Sequence, residues 1–148
     1  MIVQKEREMR EFTALLKEAG LKATFQRMSI LEEIERYGHL SVDEIYEKVV
    51  MGYPSLSLAT VYKNIILMVE KGVLAEVPII GRKSKYEIVK EDHIHLVCTE
   101  CGEVIDHDCT QMAEQMYQQL SQESAFALNR RQVNLYGVCS HCQQKQSA

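Results

Sequence analysis

Long apolar runs are missing from this chain. The longest near its middle is IILMV at residues 65–69, far short of the ~20 residues a helix needs to cross a bilayer. The first residues, MIVQKEREMREF, are charged throughout and lack the apolar core of a signal peptide, so a cytoplasmic protein is expected. The usual signatures of enzymes are missing too. There is no G-x-S-x-G, no HExxH, no phosphate loop and no nucleophile placed with a base, so the expectation is a protein that is not an enzyme. No internal repeat or low-complexity segment is evident, and 46% hydrophobic residues among 148 is ordinary for one globular domain or two small ones.

An excess of positive charge is absent as well, since the formal net charge is −4. The average hides a division. Residues 1–85 hold thirteen Lys/Arg and twelve Asp/Glu, whereas residues 86–148 hold four and nine. Electrostatic binding depends on where charge sits, so the first part can still present a local basic face.

The apolar spacing predicts helices over 4–19, from Thr24 as N-cap to Gly38, from a Ser41/Glu44 capping box through residue 50, and from Ser57 to Gly72. VLAEVPII (73–80) and SKYEIV (84–89) flank the short connection GRK and predict a hairpin. Helices followed by a hairpin are the order of a winged helix-turn-helix; a plain helical domain with a hairpin attached is the alternative. After a boundary near 88–92, HIHLVC and EVIDH read as strands, 110–124 as an amphipathic helix with Met112, Met116, Tyr117 and Leu120 on one side, and 126–139 as a strand. QQKQSA reads as a frayed polar tail. The expected organisation is therefore α+β, a winged-helix domain over 1–88 and a metal-binding domain over 92–148. So small a β-β-α-β module needs a metal or a partner chain to be stable.

Cysteine supplies candidate ligands for such a metal. Cys98/Cys101 and Cys139/Cys142 are two CxxC pairs with 37 residues between them. Two such turns complete a tetrahedron of thiolates, the closed structural Zn(II) site. A redox pair and two disulfides are the alternatives; Cys109 is left over as a small buried or edge thiol. A deaminase zinc site would show H-x-E before P-C-x-x-C, whereas here the histidines read HIH and no proline precedes the cysteine.

His93 and His95 alternate with Ile94, so on a strand both imidazoles share a face. Asp106, Glu87 and His39 are candidate partners. Imidazole with carboxylate suits Fe(II), Mn(II) or exchangeable Zn(II), unlike the all-thiolate set. Two metals of different kind are expected.

In order along the chain, GLKATFQR (20–27), GHLSVDEIY (38–46), SLATVYKN (57–64), HIHLVCTECG (93–102) and LYGVCSHC (135–142) resemble the ferric uptake regulator (Fur) superfamily. The resemblance covers nearly the whole chain. It implies a homodimeric transcriptional repressor acting on palindromic double-stranded DNA, with an N-terminal winged helix and a C-terminal α/β dimerisation domain. It also implies a regulatory metal held by His39, Glu87, His93, His95 and Asp106. Asp106 resembles the peroxide-sensing, PerR-like subgroup, where Fe(II)-catalysed oxidation of His39 or His93 would carry the signal; Glu87 resembles the iron sensors. Iron-, manganese- or zinc-responsive regulation is thus the alternative, and an interaction module without DNA function is a second.

Departures from the family pattern are Phe25 in place of a usual Pro, and Asp92 and Arg131 where many members carry histidines of a further metal site, which is therefore expected to be missing. His107 and Asp108 are not family ligands and read as solvated strand-end residues. The helix beginning at Ser57 presents Ser57, Thr60, Tyr62, Lys63 and Asn64 in its first turns. Tyr can meet a thymine methyl, Asn can read adenine and Lys can reach phosphate or guanine. Core packing is the alternative for Tyr62. Lys22, by resemblance, faces the minor groove; Arg27 is a phosphate contact or a helix-surface charge. Arg82, Lys83 and Lys85 form a basic cluster on the expected wing.

Overall fold

A computed structural model describes residues 2–146. The chain divides into two compact units: the chain up to Pro78 with Lys83–Val89, and Ile79–Arg82 with the chain from Lys90 onward.

The first unit contains α1 (Ile2–Glu18), α2 (Phe25–Tyr37), β1 (Leu40–Ser41), α3 (Val42–Gly52), α4 (Leu58–Glu70), β2 (Leu74–Val77) and β3 (Lys85–Ile88). Helix starts follow the expected chemistry. Thr24 accepts from the Arg27 N–H, Ser57 from that of Thr60, and Ser41 and Glu44 form a complete capping box. Because α2 opens at Phe25, this residue occupies the first helical position, where proline's fixed φ is favourable but dispensable. Its replacement leaves the Thr24 cap intact. Gly38 closes α2 at φ 86, a conformation that costs other residues.

Each helix buries residues at three- and four-residue intervals. Phe12 and Leu16, Ile30, Leu31 and Ile34, Ile45 and Val49, and Val61, Ile65 and Met68 meet in one core with Leu40, Val73, Leu74 and Tyr86. Full burial of such side chains contributes about 1.5–3 kcal/mol each. The order in the sheet is β1-β3-β2. The two-residue β1 was not foreseen; it is too short to carry an alternation, and pairing with β3 creates it. The expected strand 73–80 ends at Val77 because Pro78 has no N–H to donate.

The second unit contains β4 (His93–Cys98), β5 (Val104–Asp108), α5 (Gln111–Ser124), β6 (Val133–Gly137) and α6 (Ser140–Gln146). Its sheet runs β5-β4-β6, with β5 antiparallel and β6 parallel to β4. The expected long strand over 126–139 is confined to five residues. Rather than fraying, SHCQQKQ forms α6, with the Gln143 N–H on the Cys139 carbonyl and its side-chain amide on that of Val138; the last two residues lie outside those described. From Lys90 on, the buried hydrophobic side chains are Val97, Cys98 and Cys142. No residue of α5 is buried, and Met112 on its apolar stripe is 79% exposed.

Ile34→Ala should destabilise the protein by about 2–5 kcal/mol and Ser41→Ala by about 1 kcal/mol. Met51→Ala, on an exposed helix surface, should stay within about 0.5 kcal/mol. Urea denaturation gives the order, and a Met51 effect matching that of Ile34 would contradict the core described.

Candidate metal centres and nucleic-acid interface

Cys98 ends β4 and Cys101 lies in the turn to β5, while Cys139 and Cys142 flank the start of α6. The Cys98 N–H donates to the Glu103 carbonyl, and the Gly102 N–H to the Cys98 carbonyl at 2.9 Å, closing the first turn. The Thr99 N–H reaches the Gly137 carbonyl at 2.8 Å and brings the second turn alongside. All four sulfurs then lie within 4.8 Å of one another, with Cys101 and Cys139 Sγ 3.9 Å apart. A disulfide requires about 2.05 Å, and all four cysteines are free thiols. Zinc–sulfur bonds of about 2.3 Å give tetrahedral edges near 3.8 Å, so the donor set and spacing fit Zn(II). N–H groups of Cys139 and Cys101 lower the Cys98 thiol to about 6, while burial pushes that of Cys142 up to about 12. Cys109 is half-buried, against the Thr110 carbonyl.

In the first unit, β1 and β3 pair Leu40 with Tyr86. Continuing that register by one residue sets His39 beside Glu87. His39 Nε2 lies 2.9 Å from Glu87 Oε2, and Glu87 is only 4% exposed. Burying a carboxylate is costly unless a cation or donor accompanies it, so this pair is suited to share a proton or a metal.

In the second unit, the register places His95 between Asp106 on β5 and Asn134 on β6. His93 Nδ1 lies 2.8 Å from the Glu91 carbonyl and His95 Nδ1 2.8 Å from Asn134 Oδ1. Those oxygens can only accept, so both Nδ1 atoms carry the proton. Asn134 Nδ2 donates to Gln132 Oε1, which fixes the amide's orientation. In neutral rings each Nε2 therefore bears a lone pair, and the two Nε2 atoms face each other at 2.8 Å. Asp106 Oδ1 is 3.5 Å from both. Facing lone pairs repel unless a cation lies between them, and hydrogen bonds at Nδ1 are how proteins orient metal-binding imidazoles. Asn134 was not anticipated; only the parallel pairing of β6 with β4 reveals it.

Arg131 is the residue that, by the resemblance noted above, replaces the later histidine of a further metal site. Its guanidinium reaches Asp92 at 2.6 Å and Glu114 at 2.7 Å, and lies 4.6 Å over the Tyr117 ring. A fixed cation thus ties α5 to the start of β4. His107 and Asp108 are exposed at the end of β5.

On α4, Tyr62 is 51% exposed, which removes core packing as its role. Lys63 and Lys22 are exposed as well, and the Ser57 and Thr60 hydroxyls bond each other at 2.9 Å. The Asn64 amide is engaged at both ends, by Arg27 and by the Thr60 carbonyl. Lys83 pairs with Asp43 at 2.5 Å, so its charge is already answered.

The family model described as the ferric uptake regulator family matches residues 18–136. The chain is 32% identical over 142 residues to the peroxide-responsive repressor PerR of Staphylococcus aureus, covering 95% of each. It is similar to the Campylobacter jejuni peroxide stress regulator (37% identity, TM-score 0.74, 87% of this chain and 97% of that one). The Vibrio cholerae ferric uptake regulator is also similar, at 33% identity and TM-score 0.72, over 86% and 98%. No helix among the described residues is long and apolar enough to cross a membrane.

Purified protein should carry about one tightly held zinc per chain. Binding to the stripped protein should release protons, those of Cys139 and Cys142 among them, because both thiols are held above their ordinary value. Titration calorimetry in buffers of different ionisation enthalpy measures the release; zinc-free protein or proton-neutral binding would contradict the site.

Proposed function

This chain belongs to the ferric uptake regulator family, and from that premise we propose that it is a homodimeric, metal-dependent repressor of transcription. In this reading it binds palindromic operators, holds structural Zn(II) at Cys98, Cys101, Cys139 and Cys142, and senses hydrogen peroxide through Fe(II), with Mn(II) as the inert substitute. One observation carries the reading. Beside a closed set of thiolates the chain has imidazole nitrogens converging with a carboxylate, a donor set suited to an exchangeable divalent ion.

His39, Glu87, His93, His95 and Asp106 would hold that ion together. Ligands drawn from both units would favour one relative orientation of those units, and in a dimer this sets the spacing of two α4 helices. Half-sites lie about one DNA turn, or a multiple, apart. Metal binding shifts the population toward the DNA-competent form only as far as it prefers that form. Ser57, Thr60, Tyr62 and Lys63 would enter the major groove and Lys22 the minor. The dimer would cover Leu96, Ile105 and Leu135, which the register places in one row across the sheet and which are 40–52% exposed.

Fe(II) held by these residues would supply one-electron chemistry toward peroxide and would recover from the ring the electron it gives. Overall, an imidazole of His39 or His93 loses two electrons, one peroxide oxygen ends on the ring and the other leaves as water. A ring so altered no longer offers the same lone pair, and the ion and the DNA are released. The similarity to peroxide-responsive relatives supports this choice of signal, as does Asp106. Glu87 favours the second reading, an iron-, manganese- or zinc-responsive regulator of metal homeostasis.

Mn(II)-loaded protein should retard a palindromic probe selected from random DNA and lose it on chelation. His39→Ala should weaken this at least about tenfold while keeping dimer and zinc. After peroxide, the Fe(II) form should gain one oxygen on a peptide containing His39 or His93 and release DNA, and the Mn(II) form should do neither. Unmodified histidines with DNA still bound would favour the metal-homeostasis reading. No metal-dependent retardation by any probe would remove the DNA function.

A further inference from the structure

We propose that Asn64 is a positioning residue that aims Arg27 at a DNA phosphate, and that Asn64 does not itself read a base. The inference rests on the DNA-binding function proposed above.

Arg27 lies in the first turn of α2, where its backbone N–H is satisfied by Thr24 Oγ1 at 3.3 Å. Two contacts fix its side chain. Nε donates to Asn64 Oδ1 at 3.1 Å, and Nη1 to the Lys22 carbonyl at 2.9 Å. Asn64 is held in turn, its Nδ2 donating to the Thr60 carbonyl at 3.0 Å. An asparagine reads adenine with both amide atoms at once. Here Oδ1 and one Nδ2 hydrogen are already engaged, and turning the amide toward an adenine would leave Arg27 without its support from α4.

The charge of Arg27 points outward by elimination. Both acceptors are neutral oxygens, and no ion pair involves Arg27 among the described residues. Arg131 is different, being answered by two carboxylates, and so is Lys83, answered by one. A half-buried guanidinium fixed at two points, with donors to spare and its charge uncompensated, is prepared for an anion. Its planar fork suits phosphate, and its ordering cost is met before binding. Lys22, whose carbonyl is one of those contacts, and Lys63, the chain neighbour of the other, are exposed and enter no ion pair among the described residues. Arg27 would then hold the phosphate backbone between Lys22, proposed for the minor groove, and Lys63, proposed for the major groove.

The test uses full-length, zinc- and Mn(II)-loaded protein and the palindromic probe that wild type retards, at 50–200 mM salt. Arg27→Ala should lower affinity about tenfold, equally for probes with single base changes, and flatten the salt slope by about 2 per dimer, one phosphate from each chain. Asn64→Ala should lower affinity less, again without base preference, and add nothing in the Arg27→Ala background, because Asn64 acts through Arg27. Asn64→Asp, nearly isosteric, should be worse than Asn64→Ala, since a carboxylate there would neutralise the guanidinium. The proposal is overturned if Asn64→Ala relaxes the preference at one base pair, if the two alanine effects add, or if Arg27→Ala leaves the salt slope unchanged. It is also overturned if Asn64→Asp binds as well as wild type. A wild type that retards no probe would instead remove the functional reading itself.

Discussion

Four sulfur atoms within 4.8 Å of one another cannot all be thiolates without a cation among them, and much of the second unit is arranged around that constraint. Val97 and two of the cysteines are its buried hydrophobic side chains from Lys90 on, which is too little apolar burial to offset the entropy of ordering some sixty residues. The two CxxC turns join the β4–β5 turn to the start of α6, so one ion would close the ends of the strand–helix–strand segment between them. The proposed thiolate site is therefore a condition for the sheet, and the sheet is what carries His93, His95 and Asp106.

The first unit rests on different physics. Its helices and short sheet bury a continuous apolar core, and the start of α4 shows solvent a face of hydroxyls, an aromatic ring and one lysine. A rigid core behind an exposed polar helix holds reading groups in place without loops. The Arg27–Asn64–Thr60 chain of hydrogen bonds extends that rigidity to a charge. In the second unit, rigidity comes from register. Asn134, His95 and Asp106 stand in one row across three strands, and one residue of slip would turn the imidazole to the other face.

The apolar side chains left exposed on β4, β5, β6 and α5 are the counterpart of the small interior. On a monomer they would be an aggregation risk. Covered by a second copy, they supply the burial that the single chain lacks, so the proposed dimer and the proposed structural zinc answer the same deficit.

Local chemistry in the amino-acid sequence determined the helix starts, the α+β class and the four-cysteine cluster. Capping oxygens act within three residues, apolar periodicity is a property of one segment, and a CxxC turn points its own sulfurs together. His93 and His95 were legible for the same reason, as alternate residues of one strand. Other features depended on partners distant in the chain. Tertiary structure alone created β1 and with it the His39–Glu87 contact, shortened the strand before Val133, and set Asn134 behind His95. It also set the Asn64 amide against Arg27, thirty-seven residues away. Such pairings are fixed by register and packing between segments, and no periodicity within either segment encodes them.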